Sequence, residues 1–307
     1  MIFCIIFKDL YILCVKLVKE LSFKIKYYYI MKLNDLSIVI VTFRSEEKII
    51  NCLNSIPENI KVIIVENSNN KSLKEKLENQ FKNVECILTG DNKGYSIANN
   101  IGLKKVDSKY ALVLNPDTVL EKNTITNFFE TIKQVEDFWL IGPSSNQIIS
   151  NFPSEKNVLE VKNLKGFAIF LNLHKFKNTF FDENFFLYFE EIDLCRNVIQ
   201  KGGKIYIAKN LIIRHEGASS VKKDKTIEIE KNRNWHWMWS TFYYQKKYRG
   251  YFLAFLIIFP KLFSAILKTI YYQLIFNKDK RDIYFCRMSG IYNSMLGKKS
   301  WYRPSLD

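Results

Sequence analysis

From residue 36 the chain alternates short apolar, β-branched runs with helical stretches, and this alternation constrains its fold more than any other feature. The runs 36–42 (LSIVIVT), 61–65 (KVIIV), 84–88 (VECIL) and 110–114 (YALVL) predict strands, with helices expected at about 45–55, 71–80, 96–105 and 123–135. Runs that are apolar throughout, rather than at every second residue, predict a parallel sheet covered on both faces by the intervening helices. In such sheets ligands bind at the carboxyl ends of the strands. The segments that follow these four strands, 42–44, 66–68, 91–94 and 115–117, are polar and turn-forming, so they are expected to converge on one crevice. After about residue 143 the alternation weakens into strands at 146–152 and 165–171, a helix around 190–201 and a strand pair within 204–214. The pattern reads as a nucleotide-binding half followed by a second, smaller half.

Composition bounds the alternatives. A chain of 307 residues allows one large domain or two small ones, and 48% hydrophobic content with 11 Gly and 6 Pro excludes wholesale disorder or a fibrous repeat. The formal charge of +15 resembles that of a nucleic-acid binder, but its distribution does not. Residues 1–30 carry net +3 and residues 222–307 net +11, leaving +1 on residues 31–221. A nucleic-acid-binding core would cluster its cations on the folded domain itself. The six cysteines, Cys4, Cys14, Cys52, Cys86, Cys195 and Cys286, form no C-x-x-C pair, which suits reduced thiols in the cytosol. With only His174, His215 and His236 present, any metal must rely mainly on oxygen ligands.

The two basic ends are also apolar. Residues 1–30 are interrupted by Lys8, Asp9, Lys16, Lys19 and Glu20, and read as a membrane-surface helix or as an extension upstream of a start at Met31. The second reading is preferred, because MKLNDLSIVIVT opens like a domain. Residues 251–276 (YFLAFLIIFPKLFSAILKTIYYQLIF) form an apolar stretch broken by Pro260, Lys261 and Lys268. The two lysines are seven residues apart and share one helical face, with further cations on both flanks. This is the pattern of an interfacial helix drawn to anionic lipid, and burial in a core or against a second subunit is its alternative. Domain limits follow: a doubtful extension at 1–30, a catalytic domain at 31–221 divided near 117, and a basic, aromatic membrane-associating helical region at 222–307.

Four local patterns could carry chemistry. Asn115-Pro116-Asp117 follows the fourth strand, and alone it is an ordinary turn. Asp91–Asn100 (DNKGYSIANN) leads into a helix, where Gly94 permits positive φ or close backbone approach. Residues 181–196 (FDENFFLYFEEIDLCR) mix carboxylates with aromatic rings, which raises proton affinity and suits a general base; a helix start stabilised by its dipole is the plainer reading. On that helix Glu190 and Asp193 share a face while Glu191 points about 100° away. His215, in RHEGASS, ends the last strand, where a structural histidine is the commoner outcome.

In order along the chain, SIVIVTF, VENS, DNKGYSIANNIG, LNPDT, FDENFFLYFEEIDLCR and HEGASS resemble the family-2 glycosyltransferases of the GT-A fold. Among these the chain is most similar to rhamnosyltransferase-like bacterial enzymes of lipopolysaccharide and capsule assembly, and its closing SWYRPSL is similar to tails in that group. The resemblance implies an α/β GT-A fold, with a Rossmann-like, mostly parallel sheet flanked by helices. It implies donor-binding roles for Thr42, Glu66, Asn92, Gly94 and Asn115, with Glu66 standing where the family usually has Asp. Asp117 matches the last Asp of the family's D-x-D motif, with Asn115 in place of the first, and His215 is the candidate for a further metal ligand. Glu191 occupies the place of the catalytic Asp in E-D-x-D, with Glu190 as its alternative, and Asp193 and Tyr188 fall on the acceptor side.

A divalent cation, Mg²⁺ or Mn²⁺, is the expected cofactor. A carboxylate about 4 Å from a diphosphate would otherwise be repelled by roughly 4 kcal/mol per charge pair at an effective dielectric of about 20. The expected reaction is an inverting transfer of rhamnose or a similar sugar from a nucleotide-diphosphate donor to a lipid-linked or polysaccharide acceptor, peripheral on the cytoplasmic face of the inner membrane. The alternatives are a catalytically inactive sugar-nucleotide-binding scaffold of the same fold and, less favoured, a nucleic-acid-binding protein; no nucleic acid partner is expected.

Overall fold

The computed structural model describes residues 34–135, 137–144, 156–177, 179–215 and 226–303. The expected strand at 146–152 and the extension at 1–30 lie outside the described residues. The four N-terminal strands form as expected: β1 (Leu36–Thr42), β2 (Lys61–Glu66), β3 (Val84–Leu88) and β4 (Tyr110–Leu114), connected by α1 (Glu46–Asn54), α2 (Lys71–Gln80) and α3 (Tyr95–Leu103). The short strand β5 (Thr118–Leu120) and α4 (Thr124–Gln134) follow, then β6 (Phe138–Pro143), β7 (Val158–Glu160), β8 (Ala168–Asn172), α5 (Glu190–Gln200), β9 (Lys204–Ala208) and β10 (Ile213–His215).

The large sheet has the order β3-β2-β1-β4-β8-β6-β9-β7. Strands β1 to β4 pair in parallel, as do β6 and β9, whereas β8 runs antiparallel to both β4 and β6, and β7 antiparallel to β9. The two expected halves therefore share one continuous sheet, joined where β8 adds to the edge of β4. The strand pair expected within 204–214 does not form as a pair. β9 enters the large sheet, while β10 crosses to β5 and places His215 opposite Thr118.

Both faces of the sheet are buried, which is why its central strands lack polar alternation. Ile38, Ile40, Ile64 and Leu112 pack against Ile49, Leu77 and Phe128 on one face. Val39, Val113, Ile169 and Leu171 meet Leu103, Leu194 and Val198 on the other. Gly102 lets α3 lie close on the second face, since a Cβ there would overlap the Val39 side chain.

The C-terminal helix α6 (Thr226–Leu274) is in fact two limbs joined at Gly250, whose φ of 80° and ψ of 167° belong to a region essentially restricted to glycine. The limbs reverse direction there, so that Met238 and Phe242 of the first share a core with Ala254 and Ile258 of the second and with Ile291 of α7 (Lys278–Met295). Pro260 sits inside the second limb without ending it. The three segments make a small bundle in which Gly290 is pressed against the Trp235 carbonyl, leaving no room for a Cβ. Substituting Gly290→Ala should lower stability by about 1–3 kcal/mol through overpacking, measured by urea denaturation.

Candidate active site

The carboxyl ends of β1, β2 and β4 open on one side of the sheet, and the expected donor-side residues gather there. Thr42 is buried, its backbone carbonyl accepts the Asn67 N–H at 2.8 Å, and its hydroxyl has no partner. Glu66 is fully buried, and its carboxylate accepts from the Ser68 N–H at 3.1 Å, the Ser68 hydroxyl and the Asn70 N–H at 2.6 Å. Both oxygens of Glu66 are thus engaged in shaping the loop after β2. Asn92 holds the next loop by accepting from Asn67 Nδ2 and the Gly94 N–H, each at 3.0 Å.

Gly94 joins the two halves of the site. Its φ is 83°, and a Cβ would lie 2.6 Å from the Phe186 carbonyl oxygen, which accepts the neighbouring Tyr95 N–H at 2.8 Å. The loop carrying the acidic cluster is therefore fastened directly to the N-terminus of α3. Tyr95 was not singled out from the sequence, where an aromatic residue at a helix start reads as packing. Its hydroxyl donates to the Gly166 carbonyl at 2.8 Å and lies 3.4 Å from Asn115 Oδ1. Burial, reinforced by the charges of Glu190, Glu191 and Asp117, pushes its phenol well above the usual range. Tyr95 thus stands between the two carboxylate groups singled out from sequence.

On one side of it, Asp117 Oδ1 and His215 Nε2 are 3.3 Å apart, brought together by the β5–β10 pairing. The His215 ring stacks on Phe167 at 4.9 Å, which fixes its plane. A carboxylate oxygen suits either Mn²⁺ or Mg²⁺, whereas the imidazole nitrogen suits Mn²⁺ better than the oxygen-seeking Mg²⁺, and two adjacent ligands at about 2.1 Å from an octahedral ion would be roughly 3.0 Å apart, near the spacing seen. Among the described residues no cluster of three or more His, Cys, Asp or Glu side chains could enclose a metal. The pair supplies at most two protein ligands, so a cation held there would depend on further ligands from outside the described residues.

On the other side, Glu190 and Glu191 begin α5 after two successive residues in the left-handed region, Tyr188 (φ 69°) and Phe189 (φ 71°). Such a conformation is strained for bulky residues and costs of order 1–3 kcal/mol each. Rings of the first limb of α6 hold it: Trp237 lies 5.2 Å from Tyr188 and 5.4 Å from Phe189, with Tyr244 5.3 Å from Phe189. The Ser240 hydroxyl also donates to the Leu187 carbonyl at 2.9 Å. Tyr188 is thereby committed to loop packing.

As the helical spacing implies, Glu190 and Asp193 both turn inward, while Glu191 is half-buried beside Gly166. Asp193 is already satisfied: Lys247 Nζ reaches its Oδ1 at 2.8 Å, and the Tyr248 hydroxyl donates to the same oxygen at 2.8 Å. Lys247 also binds Asp182 at 2.7 Å. Asp193 thus anchors the helical bundle to α5, a role its sequence position did not disclose. Glu190 has an unpartnered Oε2. Burial, followed by the charge of Glu191, pushes its carboxyl up to about 8, and burial also raises Glu191.

A raised carboxyl takes up protons on folding, so its contribution to stability is fully present below the unfolded value and is lost as pH rises through the folded one. Stability should decline between about pH 4.5 and 8 in the native chain, and Glu190→Gln should flatten that decline, as read from urea midpoints across the range.

The chain matches the profile of "Glycosyl transferase family 2" over residues 37–195, just over half its length. It is 28% identical over 190 residues to the low-salt glycan biosynthesis hexosyltransferase Agl10 of Haloferax volcanii, covering 53% of this chain and 61% of that one. It is 29% identical over 119 residues to the teichoic acid poly(glycerol phosphate) polymerase of Staphylococcus epidermidis, covering 36% of this chain and 16% of that protein. The chain therefore spans less than two thirds of the length of either relative. Its fold is shared with the mannosyltransferase PcManGT from Pyrobaculum calidifontis, solved in complex with GDP-Man and Mn²⁺, at a TM-score of 0.54 and 10% identity, covering 86% and 88% of the two chains. With an α/β sheet of this topology and a family match that runs from β1 through β8 into α5, the chain belongs to glycosyl transferase family 2, with the GT-A fold.

Proposed function

We propose that this protein transfers a hexosyl group, rhamnose or a similar sugar, from a nucleoside-diphosphate donor to a hydroxyl of a lipid-linked or polysaccharide acceptor in cell-surface glycan assembly, with inversion at the anomeric carbon. The observation that carries this reading is the span across Tyr95, with the Asp117–His215 pair on one side and the Glu190–Glu191 pair on the other. Family membership and the hexosyltransferase name of the haloarchaeal relative support it. The free thiols of Cys52, Cys86, Cys195 and Cys286 suit the cytoplasmic side of the inner membrane, which is the proposed site of action.

The donor would lie over the ends of β1, β2 and β4, where the unpartnered Thr42 hydroxyl faces a need for a polar partner. A divalent cation bound at Asp117 and His215 would neutralise the diphosphate as it leaves. Burial raises the proton affinity of both adjacent glutamates, and the charge of Glu191 raises that of the more deeply buried Glu190 further, so Glu191, half-buried beside Gly166, is assigned as the base. Glu191 then accepts the proton of the acceptor hydroxyl, the acceptor oxygen bonds to the anomeric carbon, and the bond from that carbon to the phosphate oxygen breaks. Tyr95 keeps Gly166, and with it the wall beside Glu191, at a fixed distance from Asn115.

Glu191→Gln should lower kcat by about 10²–10⁴-fold with little change in donor KM. Full activity in Glu191→Gln together with its loss in Glu190→Gln would transfer the role of base to Glu190. Asp117→Ala should abolish metal-stimulated turnover with a panel of nucleotide sugars; turnover indifferent to both chelator and this substitution would remove the cation from the reaction.

A further inference from the structure

The second limb of α6, residues 251–274, carries large apolar side chains that nothing among the described residues covers. Phe252, Leu256, Phe259, Phe263, Leu267 and Ile270 follow one another at steps of three or four residues, and each is 48–71% exposed. They form a single stripe along the limb, and Leu274, 71% exposed, prolongs it. The opposite side is used within the bundle, where Ala254, Ile258 and Ala265 are buried. An uncovered apolar face of this length marks an interaction surface.

Charge says which kind. The limb contains no Asp or Glu. Lys261 and Lys268 lie on the flank of the limb, about 100° or more around the helix from the stripe, and with Arg287, Tyr284 and Ser264 they line a groove of about 210 Å³ between the limb and α7. The Tyr284 ring lies between two of these cations, 5.0 Å from the Lys268 ammonium and 5.6 Å from the Arg287 guanidinium, and its hydroxyl is 3.4 Å from Lys268 Nζ. None of the three cations has a carboxylate partner among the described residues. The groove therefore gathers positive charge whose counter-charge the described residues do not supply. An anionic bilayer supplies both the apolar medium and the missing negative charge.

The limb is long and apolar enough to cross a membrane by length and composition. Its neighbour argues against a crossing. α7 runs back along the limb, Arg281 bonding to Gln273 at 2.9 Å and Tyr284 stacking on Tyr272, and it opens with Lys278, Asp279, Lys280, Arg281 and Asp282. A span would carry Lys261, Lys268 and the neighbouring Arg287 into hydrocarbon, whereas a stripe confined to one side of a helix suits a limb lying flat in the interface.

We propose that the second limb of α6 is a membrane-docking element: its apolar stripe enters the interfacial layer of an anionic bilayer, and Lys261, Lys268 and Arg287 receive the phosphate of a lipid headgroup in the groove on the limb's flank. This goes beyond the transferase reading and stands independently of it. The first limb, continuous with the second through Gly250, holds the Tyr188–Phe189 strain and anchors Asp193, so docking would set the height of the acidic cluster above the lipid surface.

The test is co-sedimentation of the full chain with phosphatidylcholine vesicles prepared with and without phosphatidylglycerol. Binding should require the anionic lipid and weaken with added salt. The Lys261→Gln/Lys268→Gln/Arg287→Gln variant should lose on the order of a hundredfold in partitioning, at roughly fivefold per cation. Phe259→Ser/Phe263→Ser should lose binding to the same vesicles. Unchanged urea midpoints and unchanged thermal protection by nucleotide would show that both variants remain folded with the donor site intact, which separates failure here from failure of the transferase reading. Equal sedimentation with neutral and anionic vesicles, or an unaffected triple variant, would overturn the headgroup site. Absence of vesicle binding together with a dimer that Phe259→Ser/Phe263→Ser dissociates would assign the stripe to a second copy and overturn the proposal. Inorganic phosphate that protects the chain while vesicles do not bind it would do the same.

Discussion

The left-handed backbone at Tyr188 and Phe189 is the constraint on which the rest of the site depends. Two bulky residues in succession cannot hold that conformation by local preference. Here it is imposed from outside, by Trp237 and Tyr244 against the rings and by the Ser240 hydroxyl on the Leu187 carbonyl. The turn it makes aims the first residues of α5 back under the sheet, with Glu190 buried and Glu191 beside Gly166. The helical bundle accordingly holds the start of α5, and with it Glu190 and Glu191, in place.

The carboxylates of this region divide into distinct roles according to what surrounds them. Asp182 and Asp193 share Lys247, a partly exposed cation whose loss would leave the buried Asp193 with the Tyr248 hydroxyl as its remaining side-chain donor. Glu66 spends both oxygens on its own loop, so its influence on a donor would pass through the shape of that loop. Glu190 and Glu191 have neither a cation nor a full set of donors, and burial keeps their proton affinity high. Carboxylates thus serve as anchors or loop formers where cations and donors surround them and are left with raised proton affinity where burial lacks such partners.

Coupling between the ends of the molecule is short and direct. Gly94 and Tyr95 fasten the acidic loop to the donor side of the sheet, while His236, buried and depressed to about 3 by desolvation, stacks on Phe186 and binds Ser300 and the Tyr302 carbonyl. The C-terminal tail, the acidic loop and the start of α3 are therefore one contiguous assembly. A surface that fixes the second limb of α6 would act on this assembly through rigid helix rather than through a flexible tether.

The sequence by itself determined the parallel β1–β4 core, because strands buried on both faces must be apolar at every position and the helices between them are long enough to cross over. It also determined the helical spacing that turns Glu190 and Asp193 inward, and the apolar, basic character of residues 251–276. The strand pair expected within 204–214 was not legible, since strand propensity does not say which partner a strand will take, and β10 takes β5. Nor were the roles of Tyr95 and Lys247 legible: each acts on residues far from it in sequence, and an isolated Tyr or Lys carries no local signal of that. Only the tertiary structure decided which carboxylates are paired and which are left with raised proton affinity, because desolvation and ion pairing are properties of the assembled surroundings and not of the residue.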